Sequence, residues 1–95
     1  MQFAIVAHDQ PNALAQRLAV RPDHLKHIES LGAKMLLAGP FLDAKGDMCG
    51  SLIVIEAADL AEAEAICARD PYVTEGLFAT YTVTPFRLSI NNTAK

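Results

Sequence analysis

Residues 49–86 read CGSLIVIEAADLAEAEAICARDPYVTEGLFATYTVTPF, and their changes of period decide the fold. Cys49 to Glu56 is a short run dominated by Leu, Ile and Val, which reads as a strand. From Asp59 to Arg69 the apolar period lengthens. Leu60, Ala63, Ile66 and Cys67 recur at helical spacing and make one buried stripe, with Glu62 and Glu64 on the wet side and Asp59 as N-cap. Asp70-Pro71 stops this helix, and Tyr72 to Gly76 supplies one further turn. Leu77 to Phe86, rich in aromatic and β-branched residues, returns to a strand.

The N-terminal half follows a similar order. Gln2 to His8 alternates, with Phe3, Ile5 and Ala7 on one face and Ala4, Val6 and His8 on the other. Both faces are largely apolar, so both are expected to be covered. Asp9 to Asn12 forms a break. Residues 11–32 are helical in character, but Arg21-Pro22 interrupts them, because proline lacks a donor and biases its predecessor away from the α region. The reading is therefore two helices, Pro11–Ala19 and Pro22–Leu31, the second carrying Leu25, Ile28 and Leu31 as its stripe and closed by Gly32. Lys34 to Phe41 is a strand in which Gly39-Pro40 acts as terminator. A polar connection over residues 41–47, with Gly46 in its turn, makes a hairpin with the strand from Cys49. Residues after Leu88 read as a tail, loose over about 89–95.

The order βαββαβ predicts an α+β fold of the ferredoxin-like kind: a four-stranded antiparallel sheet with its crossover helices on one face. The 95 residues suit a single domain. Hydrophobic residues make up 52% of the chain, a surplus for so small a domain. The helix-free face of the sheet is too apolar for water, so a second copy is expected to cover it as a homodimer with a barrel-like core.

Several classes are disfavoured. A net charge of −3 without a basic cluster argues against nucleic acid. No apolar run approaches a bilayer span, and Met1–Ala7 is short and lacks the basic start of a signal peptide, so a cytoplasmic protein without membrane contact is expected. Cys49 and Cys67 read as free thiols. No CxxC or HExxH spacing occurs, and His24 with His27 lacks a third ligand, so no metal is expected.

The segment Arg21-Pro22-Asp23-His24-Leu25, the strand carrying Ala38-Gly39-Pro40, the Gly50-Ser51 strand opening, Asp70-Pro71-Tyr72 and the closing Val83-Thr84-Pro85-Phe86 together resemble the YCII-related family. Their order and spacing fit from Met1 to about Leu88. The resemblance implies a dimeric α+β barrel, chemistry leaning toward proton transfer and elimination on small ring compounds, and an active site of one histidine and one aspartate, here His24 and Asp70.

The residues also admit plainer readings. His24 is expected in a helix first turn, where the positive helix end favours the neutral imidazole of a general base; otherwise it is a surface histidine. Asp70 before Pro71 is an N-cap, a partner that orients His24, or both. Ser51 binds a substrate oxygen or bonds within the sheet, and no GxSxG surrounds it to make it a nucleophile. Gly39 admits a ligand close to the backbone or merely ends its strand. His8 is expected to line the cavity, while Tyr72 and Arg21 would meet an acidic or aromatic small molecule. The resulting expectation is a cofactor-independent isomerisation or elimination on a small cyclic or carbonyl compound. The alternative is a small-molecule-binding or sensing module, and a purely structural module would leave His24 and Asp70 far apart.

Overall fold

The computed structural model describes residues 1–93. Its elements are β1 (Gln2–Asp9), α1 (Leu14–Ser30), a single 3-10 turn (Gly32–Lys34), β2 (Met35–Leu42), β3 (Met48–Glu56), α2 (Leu60–Ala68), α3 (Pro71–Thr74) and β4 (Phe78–Phe86). The sheet runs β2-β3-β1-β4 with every neighbouring pair antiparallel, the ferredoxin-like order.

Register decides which side chains meet the helices. Phe3 lies opposite Ile55, Ile5 opposite Ile53 and Ala7 opposite Ser51. Phe3, Ile5, Ile53 and Ile55 are buried with Ala63, Ile66 and Cys67 of α2, and Ile28 and Leu31 close the cluster from the end of α1. A second cluster gathers Ala7, Tyr72, Leu77 and Phe78. Because side chains alternate along a strand, the inward row on β3 runs Ile55, Ile53 and then Ser51, so the core row ends on a hydroxyl. The other face of β1 carries Ala4 and Val6, each half-buried, and no helix covers it.

The proline did not break the first helix. Leu14–Ser30 is continuous with Pro22 inside it, and Pro11 and Asn12 form a turn in front, with Asn12 in the left-handed region at φ 56°. Leu18, whose carbonyl loses its i+4 donor, and Pro22 both lie on the exposed side. Water can take that carbonyl, while buried anchors on both sides of Pro22 hold the helix. Gly39-Pro40 does not terminate a strand either. β2 runs on to Leu42, with Pro40 opposite Ser51. It is an edge strand, where a missing N–H costs no ladder bond. Two expected stripe residues, Leu25 and Leu60, are exposed. Asp59 caps α2 as expected, its carboxylate accepting from the Glu62 N–H at 2.8 Å. Residues 87–93 form no helix or strand, although the Leu88 N–H donates to Gln2 Oε1 at 2.6 Å; the rest of the expected tail, residues 94 and 95, lies outside the described residues.

Candidate active site

Along α1, Arg17, Arg21, His24 and Ile28 follow one another at spacings of four, three and four, which sets them on one helix face. That face meets the sheet where β3 presents Ser51. Arg17 is 3% exposed and His24 8% exposed. Polar groups so deeply buried need partners, and both have them.

Arg17 donates from Nε to Asp9 Oδ2 at 2.8 Å and from Nη2 to Asp9 Oδ1 at 3.3 Å. Nη2 also reaches the Gly50 carbonyl and Ser51 Oγ, each at 2.7 Å. Asp9 comes within reach because the alternation of β1 returns it to the inward face that carries Ala7. Gly50 has no alternative here: a Cβ at that position would collide with the Ala7 carbonyl of β1.

His24 Nδ1 lies 2.9 Å from Asp70 Oδ1 and 3.0 Å from Oδ2. An ionised carboxylate only accepts, so Nδ1 carries the proton and the neutral ring keeps its lone pair on Nε2. Asp70 Oδ1 also accepts from the Tyr72 N–H at 2.9 Å, capping α3. One carboxylate therefore both caps α3 and hydrogen-bonds the His24 ring. The Tyr72 ring, fully buried, stacks on His24 with centroids 4.0 Å apart and planes at 12°. Arg17 Cζ sits over the same ring, 4.6 Å from its centre. The Tyr72 hydroxyl is buried and has no hydrogen-bond partner among the described residues. Burial pushes its pKa upward, against the pull of Arg17 and Arg21, so it remains a donor.

Arg17, His24, Ser51 and Tyr72 border one cavity of about 200 Å³ between α1 and the β2–β3 hairpin. Its polar lining is Arg17, Arg21, His24, Ser51 and Tyr72, while Leu25, Ile28, Pro40, Met48 and Ile53 are among its apolar walls. His24, Asp70, Ser51 and Tyr72 thus come together as a unit, and Gly39 lines the same cavity. A Cβ added at Gly39 would meet nothing, so close approach does not demand glycine there.

His8 is elsewhere. The alternation of β1 turns Ala7 inward and His8 outward, where it is exposed and stacks on Phe41 at 5.7 Å. Nor is His24 in a first turn. It lies ten residues after Leu14, beyond the reach of the helix-end charge, so the pairing with Asp70, rather than the dipole, sets its tautomer. Sequence reasoning missed Arg17 and Asp9. A signal existed, since Arg17 stands seven residues before His24 with Arg21 between, but a helix broken at Pro22 hid the common face.

A family model described as the YCII-related domain matches residues 1–87. Protein YciI of Escherichia coli is 34% identical over 95 aligned residues, covering 92% of this chain and 97% of that protein. An uncharacterized protein of Haemophilus influenzae is 37% identical over the same shares. Among solved structures, 5-chloro-2-hydroxyhydroquinone dehydrochlorinase (TftG) of Burkholderia phenoliruptrix, in complex with 2,5-dihydroxybenzoquinone, superposes with a TM-score of 0.86 at 34% identity. That match covers 92% of this chain and 94% of the dehydrochlorinase.

Proposed function

This chain belongs to the YCII-related family, and from that premise we propose that it is a cofactor-independent enzyme that moves a proton on a small cyclic compound. The observation that carries the reading is the buried His24–Asp70 pair at 2.9 Å, with His24 on the wall of a cavity sized for a small ring. Asp70 accepts the Nδ1 proton, which leaves Nε2 as the base, and no described residue hydrogen-bonds to Nε2. When the ring becomes imidazolium, the Asp70 carboxylate stabilises the charge. In an elimination, His24 takes a proton from the substrate, the freed pair forms the new double bond, and the leaving group departs with its bonding pair. In an isomerisation, His24 returns the proton at another carbon. The likeness to a dehydrochlorinase favours elimination from a hydroxylated, halogenated ring.

The test is turnover of a panel of lactones and of halogenated hydroquinones, followed by chromatography and halide release. His24→Ala and Asp70→Asn are each expected to lower kcat/KM about 10²- to 10⁴-fold. Unchanged turnover in both variants would refute the proposal. The second reading is a binding module without catalysis, favoured by the buried Tyr72 hydroxyl, which has no partner among the described residues. A thermal shift with 2,5-dihydroxybenzoquinone, combined with no product from any member of the panel, would select it. We also assign the helix-free sheet face to a second copy of the chain.

A further inference from the structure

The His24 cavity has an imbalance of donors. The Ser51 hydroxyl accepts from Arg17 Nη2, and a hydroxyl that accepts still has its own proton to give. No described acceptor receives that proton. The Tyr72 hydroxyl has no hydrogen-bond partner among the described residues. Arg21 lines the same cavity and forms no ion pair among the described residues, whereas Arg17 is matched by Asp9 and His24 by Asp70. Three side chains therefore have hydrogen-bond donors to spare, while His24 Nε2 accepts from no described residue.

A ligand that satisfies this wall brings acceptors for the donors and one proton for the histidine. Building on the reading that the His24 cavity is the ligand site, we propose that it selects planar compounds bearing a phenolate- or enolate-type oxyanion, with Arg21 as the residue that determines this specificity. Arg21 supplies the uncompensated positive charge at the cavity. Ser51 supplies a directed donor, and Arg17, which touches no ligand in this scheme, is a positioning residue that holds the Ser51 oxygen and leaves its proton turned away. Tyr72 offers a second neutral donor. Proton removal from such a compound leaves negative charge on oxygen, and this set of donors suits it. Arg21 stands one turn before His24, so the anionic oxygen and the proton to be moved belong to neighbouring parts of one small ring.

The probe is 4-nitrophenol, whose anion absorbs differently from its neutral form, titrated at a pH close to its own pKa. 4-Nitroanisole serves as the uncharged control. The wild-type chain is expected to enrich bound nitrophenolate and to bind nitroanisole weakly. Arg21→Met is expected to weaken nitrophenolate binding about tenfold, Arg21→Lys to restore part of the loss, and Tyr72→Phe and Ser51→Ala to cost a similar factor each. Arg17→Lys should shrink the spectral shift while the fold, read by circular dichroism, stays intact. Equal affinity for nitrophenolate and nitroanisole, an Arg21→Met variant that binds like wild type, or no spectral change at millimolar probe would each overturn the inference. It fails separately from the catalytic reading. A chain that binds nitrophenolate through Arg21 and turns over nothing loses only catalysis, whereas turnover of uncharged substrates untouched by Arg21→Met removes only the oxyanion preference.

Discussion

Arg17 and Asp9 show what a single buried charge demands of its surroundings. Their side chains are 3% and 4% exposed. Removing one partner leaves the other charged in the interior, so Arg17→Met is expected to destabilise the fold by about 3–5 kcal/mol, measured by urea unfolding. Replacing both, as Asp9→Asn with Arg17→Met, should recover much of the loss; a double variant as unstable as the sum of the single ones would contradict the pairing. Cys67 gives a second expectation. Burial pushes its thiol up to about 11, helped by Asp70 and Glu64. The unfolded thiol ionises from 9.0, so below that pH the contribution to stability is fully present, and it is lost as pH rises from 9.0 to about 11. Cys67→Ala should flatten that alkaline decline in urea midpoints, and at about pH 8 the native Cys67 should resist Ellman's reagent. Neither Asp9 nor Arg17 could be matched from spacing alone, because eight residues and a turn separate them. The His24–Asp70 pairing, 46 positions apart, was expected only through the family resemblance.

At the scale of elements, strand and helix identities followed from period, and the misreadings sit where context outweighed propensity. Pro22 is the clearest case. A proline within a helix costs about 3 kcal/mol relative to alanine, yet α1 continues through it because the affected turn faces water and the buried face is anchored by Arg17 and His24. Pro22→Ala is therefore expected to raise the melting temperature, by several degrees for each kcal/mol recovered. A fall would mean that the proline shapes α1 to its site. Gly50 predicts the opposite sign. Gly50→Ala drives a methyl group into the backbone of β1 and should lower stability and disturb the Arg17 contact to the Gly50 carbonyl, whereas Gly39→Ala, with open space at its Cβ, should be nearly neutral to the fold. Thermal melts of the two variants side by side check this.

For the whole molecule, the question is what covers the second face of the sheet. Ala4 and Val6 of β1 with Leu52 of β3 are only half-buried there, and no helix lies over them. A dimer is the expected state by sedimentation, and Val6→Arg should shift it toward monomer; a wild-type chain that stays monomeric at high concentration would refute the assignment. Among the described residues no helix is long and apolar enough to cross a membrane. Period, caps and the order of elements were local properties, and so the sequence by itself determined the strands, the capped helices and the ferredoxin-like topology, because hydrophobic alternation and turn chemistry act over a few residues. Only the tertiary structure decided that α1 is unbroken, and that Arg17 enters the cavity beside Ser51 while pairing with Asp9 behind it. Those outcomes depend on which buried charges find partners across the fold, and a partner far along the chain leaves no mark on the residues beside it.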